Sequence, residues 1–348
     1  MLTLILTIGR KLQCVLKYPY KMAKFFKISF FFLVGILLIW WSMHQIPDQE
    51  WDKFKLALKH SKFWIIIPVF IILGLSHLLR ALRWRLIMEP LGYKPSVGNT
   101  FLAVLIGYLA NLAIPRLGEV LKCTLLAKYE NVPAEKIVGT IVAERAFDVI
   151  SLGLVFLLAL GLQFNVIQAG WLQLKAQSAA GQNASSDHTN WVYIVLGLVI
   201  ALVVLFFVFK SKLTTAISSI QKIINGIWEG VISATKLKKH NLFFFYSFGI
   251  WFLYLLATYI GLYGTEGTAS SFATAISCLA YASIGMIITP GGIGAYAYFM
   301  AKVLELNGID YTLGLANGTL QWFSQFLIVL VLGGISLILL PIINRQKN

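Results

Sequence analysis

Charge is what this chain has little of. Only 12% of its 348 residues are Asp, Glu, Lys or Arg, about half the share of a soluble globular domain. So little polar material cannot cover a water-soluble particle, and no stretch reads as a soluble domain. Acid is the scarcer sign, with 14 acidic residues against 29 Lys and Arg and a formal net charge of +15. The three cysteines, Cys14, Cys123 and Cys278, have no zinc or disulfide spacing. The five His residues (His44, His60, His77, His188 and His240) are equally scattered, so neither a metal site nor a cofactor is expected. Catalytic signatures are also missing: there is no Gly-x-Ser-x-Gly, no His-Glu-x-x-His and no nucleotide-binding loop.

Apolar residues are what the chain has in excess. They make up 58% of it and gather into long runs, which marks lipid as the solvent. The runs Phe25–Trp41, Phe63–Leu79, Ile137–Leu162, Trp191–Phe209, Leu242–Tyr263 and Leu313–Leu340 each approach or exceed the roughly 17–20 residues a span requires. The basic N-terminus resembles a signal peptide. However, its apolar run ends in Trp40-Trp41-Ser-Met-His-Gln with no small-residue cleavage site, so a retained helix is expected. Two further runs are broken. Phe101–Leu126 is interrupted by Pro115-Arg116-Leu117-Gly118-Glu119, and Phe272–Leu304 by Thr289-Pro290-Gly291-Gly292-Ile293-Gly294.

Lys and Arg collect in cytoplasmic loops of membrane proteins. On that rule a net positive charge needs no nucleic-acid partner. The N-terminal arm (Arg10, Lys11, Lys17, Lys21, Lys24, Lys27), the segment with Arg80, Arg83, Arg85 and Lys94, the segment Ser211–His240 with five Lys, and the tail with Arg345 and Lys347 are assigned inside. The Ser/Gln/Ala-rich loop Gln163–Asn190 is assigned outside. Segment Ser42–Lys62 must also lie outside, although it holds Lys53, Lys55, Lys59 and Lys62. With these sides fixed, each broken run must enter and leave on one side. Both are therefore expected to be re-entrant hairpins, tolerable at membrane depth only against protein or a wet cavity.

The expected architecture is an all-α polytopic membrane protein of about six full spans plus two re-entrant hairpins. Residues 1–24 form a basic arm and 25–340 a single membrane domain. Its halves, 25–164 and 191–340, each contain three crossings and so run in opposite orientations, an inverted repeat. Residues 165–190 form an extracytoplasmic loop and 210–240 an amphipathic basic segment at the cytoplasmic headgroups.

The charges inside apolar runs are the candidate site. Glu144, Arg145 and Asp148 stand within about one turn in Ala143-Glu144-Arg145-Ala146-Phe147-Asp148. Each costs about 2.5–3.5 kcal/mol at a helix centre, so the cluster should face protein. It is either an internal ion pair that fixes packing or a binding or relay site. Arg116 and Glu119, beside Pro115 and Gly118, occupy the first tip. Arg is suited to phosphate because its planar fork donates in pairs. The alternative there is a structural Arg116–Glu144 or Arg145–Glu119 bridge. The second tip, Pro290, Gly291, Gly292 and Gly294, offers either helix-start N–H groups for an anion or merely a tight turn.

Together, Ala113-Ile114-Pro115-Arg116-Leu117-Gly118-Glu119, Ala143-Glu144-Arg145-Ala146-Phe147-Asp148 and Pro290-Gly291-Gly292-Ile293-Gly294 resemble the flippase-like membrane domain of lysylphosphatidylglycerol synthases, over about Lys27 to Leu340. The resemblance implies translocation of a lipid between leaflets in a bacterial inner membrane, with both termini cytoplasmic. The family's substrates vary by member; here Arg116 and Arg145 point to a phosphate-bearing membrane lipid as partner, and a homo-oligomer or a separate lipid-synthesising enzyme is a further candidate partner. Synthase activity is not implied, since no aminoacyl-transfer domain follows the last span. The alternative is an intramembrane enzyme or accessory subunit for lipid-linked substrates, with Glu144 or Asp148 as acid or base. One departure stands out. Relatives often carry an acid just after the glycine tip, where this chain has Tyr296 and Ala297.

Overall fold

A computed structural model describes residues 33, 35–114, 116–164, 166, 168, 172 and 237–345. The basic arm, Pro115, the expected span Trp191–Phe209 and most of the amphipathic segment lie outside the described residues, as do most of the loop 165–190 and the start of the first run. Among the described residues there are ten α-helices and no strand: α1 (Gly35–His44), α2 (Trp51–Lys59), α3 (Ile66–Met88), α4 (Val97–Ala113), α5 (Leu117–Glu130), α6 (Ala134–Leu162), α7 (His240–Gly261), α8 (Phe272–Ile288), α9 (Ala295–Leu306) and α10 (Tyr311–Ile343). Four helical stretches are long and apolar enough to cross a membrane: Phe63–Leu91, Ile137–Leu162, His240–Gly264 and Tyr311–Ile343.

The broken runs are helical hairpins, α4–α5 and α8–α9. Their helices have 17, 14, 17 and 12 residues. At 1.5 Å per residue these reach about 18–25 Å, short of a hydrocarbon core about 30 Å thick. Both hairpins are built alike. A serine caps the first helix, Ser96 accepting from the Asn99 N–H and Ser271 from the Thr274 N–H. Both first helices then end on an extended residue, Ile114 or Thr289, that precedes a proline. This is the backbone that proline imposes on its predecessor. The next residue is left-handed in each case: Arg116 at φ 69° and Gly291 at φ 62°.

The hairpin bases lie at opposite ends of the molecule. Asn99, at the base of the first, exchanges amide hydrogen bonds with Asn344, the C-cap of α10. It also donates to Glu130 at the end of α5. Thr274, at the base of the second, donates to Asn307, the C-cap of α9, and accepts from Gln163, the C-cap of α6. The same clasp thus occurs twice, each time with the C-terminus of the other half's hairpin-flanking span. Helix α10 begins at the second base and ends at the first, while α6 begins beside the first and ends at the second. With 29 and 33 residues, about 44 and 50 Å, they hold the bases apart. The packing pattern is unchanged when α3–α6 and α7–α10 are exchanged: α3 packs on α7, α4 on α10 and α8 on α6. The two halves are an inverted repeat, and α4 meets the Pro290–Gly292 turn where the tips converge.

Segment 42–62 lies at the end of the second base. Tyr311 Oη donates to the Ser42 carbonyl, Lys53 Nζ lies 2.6 Å from Asp310, and the Lys62 N–H bonds the Gly264 carbonyl. This end is opposite to Arg85 and Lys94, as the sequence reading required despite the four lysines. One sequence assignment is corrected. The second span does not stop at Leu79. Helix α3 continues to Met88, so Arg80 and Arg83 are buried helix residues and not loop charges. The apolar Leu86-Ile87-Met88 beyond them sustains the helix into the core.

Candidate functional site

Midway along α6 the chain concentrates its buried charge. Glu144 and Asp148, four residues apart, share one helix face, as do Arg80 and Arg83 of α3, three apart. Arg80 Nη1 lies 3.1 Å from Glu144 Oε1 and 2.6 Å from Asp148 Oδ2. Arg83 Nη2 lies 2.7 Å from Asp148 Oδ1 and 3.8 Å from Glu144 Oε1. From the first hairpin, Lys122 Nζ reaches Glu144 Oε2 at 2.7 Å, and Glu119 Oε1 meets Arg145 Nη2 at 2.9 Å. All four oxygens of Glu144 and Asp148 are therefore held by cations. Four cationic and three anionic side chains leave a formal excess of one positive charge.

Polar and aromatic groups complete the shell. Arg80 Nη2 donates to Tyr254 Oη and Arg83 Nη1 to Ser247 Oγ, both on α7. Lys122 Nζ sits 4.5 Å from the Trp84 ring centroid, whose indole N–H donates to Thr140. The His77 and Tyr108 ring centroids lie 4.5 Å apart with their planes tilted by 39°. Among the described residues the Nε atoms of Arg80 and Arg83 have no hydrogen-bond partner. A cavity of about 10 Å³ lies between α4, α5 and α6, lined by Arg80, Tyr108, Asn111, Gly118, Lys122 and Arg145 among others. That is room for about one water.

Of the residues expected from sequence, Glu119, Glu144, Arg145 and Asp148 come together. Arg116 does not join them. It is exposed at the first residue before α5 and makes no ion pair among the described residues, and the Arg116–Glu144 bridge is not formed. Gly118 is where α4 and α5 touch. A side chain there would collide with the Gly107 backbone, and the Gly118 N–H donates to Asn111 Oδ1. The second tip is filled. Pro290 and Gly292 are buried, Gly291, Gly292 and Gly294 take positive φ of 62°, 75° and 72°, and the Gly291 carbonyl accepts from the Trp322 indole. Tyr296 is buried and accepts from Gln325 Nε2.

Sequence reasoning missed Arg80, Arg83 and Lys122, which supply three of the four cations. Their one signal was spacing. Arg80 and Arg83 stand one turn apart in an unbroken helix, and Lys122 follows Glu119 by three. The second half carries an uncharged counterpart. Counted from the starts of α6 and α10, Glu144 and Asp148 correspond to Gln321 and Gln325. Gln321 donates to Asn317 and Gln325 to Tyr296. Among the described residues, buried charge is thus confined to one repeat. Among the described residues no three His, Cys, Asp or Glu side chains gather as metal ligands.

The comparisons agree with this architecture. The chain is 25% identical to the UPF0104 membrane protein MJ1078 of Methanocaldococcus jannaschii over 245 residues, 69% of this chain and 98% of that protein. It is 32% identical to the UPF0104 membrane protein MJ1595 of the same organism over 100 residues, 28% of this chain and 30% of that one. No solved structure matches it. Residues 28–333 match the family model of the lysylphosphatidylglycerol synthase TM region, and the chain belongs to that family.

Proposed function

We propose that the protein moves a polar or anionic lipid between the leaflets of its membrane. The observation that carries this reading is the pairing of a net-cationic network with two hairpins that enter from opposite ends and meet tip to tip. Seven charges gathered where α3, α5 and α6 meet are costly in lipid, and among the described residues the first repeat alone carries buried charge. An anionic headgroup neutralises the excess charge. Arg145, half exposed, and Arg116, exposed at the first tip, are the cations within its reach. The lipid tails stay in the bilayer while the headgroup passes between the hairpins.

Orientation follows from the basic residues. The first hairpin base shares its end with Arg85, Lys94, Lys239 and Arg345. We assign that end to the cytoplasm. An intramembrane enzyme using Glu144 or Asp148 as acid or base is disfavoured, because a proton-transfer group needs a free oxygen and each of theirs is held by Arg or Lys.

The test is translocation of labelled phosphatidylglycerol and phosphatidylethanolamine in proteoliposomes. The proposal expects leaflet exchange of at least one of them that depends on Lys122 and Arg145. Exchange at the rate of protein-free vesicles for both lipids would refute it.

A further inference from the structure

The ion pairs of the network are not equally buried. Arg80, Arg83, Lys122 and Glu144 are almost wholly enclosed and Asp148 nearly so. Glu119 and Arg145 keep 28% and 43% of their side-chain surface. A half-exposed pair is weak and screened by water, whereas a buried one is costly to break. Both residues line the central cavity at the seam between α5 and α6. Near the hairpin base this seam is apolar, with Leu126, Ile137 and Ile141 sharing one core. Towards the tip it is closed by the Lys122–Glu144 and Glu119–Arg145 pairs. Behind it waits Arg80, buried, with an unpartnered Nε.

The corresponding seam in the second half is closed by backbone. Gly314 and Gly318 of α10 face Ala301 and Ala297 of α9. A Cβ on Gly318 would stand 2.8 Å from Ala297 Cα and one on Gly314 3.1 Å from Ala301 Cα. This is the small-residue packing that brings membrane helices closest, and the hydrogen bond across it towards the tip, from Gln325 Nε2 to Tyr296 Oη, joins uncharged groups. Of the two seams, only α5–α6 is held towards the tip by ion pairs among the described residues, and an incoming ion can replace one of these.

We propose that Glu119 is the latch of a lateral entrance between α5 and α6, occupying on Arg145 the place that a lipid's anionic group takes when it enters. This rests on the transport reading for its substrate class, a phosphate-bearing headgroup. Glu119 competes with that group, so removing its charge strengthens binding of an anion, while removing Arg145 weakens it. A purely structural bridge behaves otherwise, because loss of either partner then harms both fold and binding.

The experiment titrates the full chain in neutral detergent with short-chain phosphatidylglycerol and, separately, with inorganic phosphate. Wild type, Glu119→Gln, Glu119→Asp and Arg145→Gln are compared, with thermal unfolding as the check on folding. The expected result for Glu119→Gln is a half-saturating phosphatidylglycerol concentration roughly 1.5- to 5-fold lower than wild type, the scale of one exposed ion pair. Glu119→Asp retains the wild-type value, Arg145→Gln raises it, and inorganic phosphate binds more weakly than the lipid. If Glu119→Gln fails to fold, ionic strength provides the second arm: salt that screens the pair must lower the wild-type half-saturation before it abolishes binding. An unchanged or higher half-saturation in Glu119→Gln, or equal binding of inorganic phosphate, overturns the proposal. The two readings fail separately. Tighter binding in Glu119→Gln without leaflet exchange by the wild type leaves the latch and sinks transport, and leaflet exchange with an unaltered Glu119→Gln half-saturation does the reverse.

Discussion

Lys122 Nζ and Glu144 Oε2 stand 2.7 Å apart, and this pair joins the first hairpin to α6 in the protein interior. Glu144 also carries Arg80 and has no exposed surface. Breaking a buried pair on one side costs about 3–5 kcal/mol, because the partner remains charged and enclosed. Glu144→Gln is expected to destabilise the protein on that scale. Adding Lys122→Met should cost less than the two single changes combined, since one orphaned cation is removed. Thermal or denaturant unfolding of the four species gives the coupling energy, and strict additivity would mean that the pair does not act as one.

Arg116 occupies a left-handed backbone, φ 69° and ψ −1°, where the second hairpin places Gly291. For a residue with a Cβ this costs roughly 1–2 kcal/mol, part of which glycine returns through its looser unfolded state. Arg116→Gly is therefore expected to be as stable as wild type, or up to about 1 kcal/mol more stable, while moving anionic lipid more slowly. Arg116→Ala should slow transport without the gain in stability. Loss of stability in Arg116→Gly would show that the side chain holds the tip together.

Two glycines of α10 make opposite predictions. A Cβ on Gly318 would press on the Ala297 backbone, while one on Gly334 has nothing within 4 Å. Gly334→Ala should stabilise the helix by up to about 1 kcal/mol. Gly318→Ala should cost about 1–3 kcal/mol through overpacking. Equal melting temperatures for the two variants would contradict the close α9–α10 packing.

At the second base, Asp310 caps α10 through the Thr312 and Leu313 N–H groups and pairs with Lys53 at 2.6 Å. Partial burial pushes its carboxyl up. The hydrogen bonds from Lys53 and the helix start, with the Lys53 charge, outweigh that and bring it below the usual aspartate value. The folded pKa is depressed, so this contribution is complete above the unfolded value of about 3.9 and is lost as pH falls through the folded one. Asp310→Asn keeps the cap but not the charge. Its stability deficit should be present at neutral pH and shrink as pH falls below about 3.9 towards the lower folded pKa. A deficit independent of pH would assign the effect to the cap alone.

The hairpins were legible because proline and glycine are local signals. Pro290 and its three positive-φ glycines break a helix wherever they occur. The inverted arrangement was legible from lysine and arginine placement, even with the discordant Ser42–Lys62 segment. The cations of the site were not legible. Arg80 reads as a loop charge because its partners Glu144 and Asp148 lie 64 and 68 residues away, and pairing at that range is decided by how α3 and α6 pack. Glu144 and Asp148 were found because an acid inside an apolar run has no topological explanation, whereas a basic residue at the end of one does.

The central claim is that an anionic headgroup crosses the membrane past the network of α3, α5 and α6. It is tested most directly by purified protein in vesicles, following labelled phosphatidylglycerol as it becomes accessible to a membrane-impermeant quencher. Wild type should bring nearly all of the label within reach, and Lys122→Gln or Arg145→Gln should slow this by about tenfold or more while remaining folded. Accessibility held at the outer-leaflet half, with wild-type protein present and folded, would contradict the account.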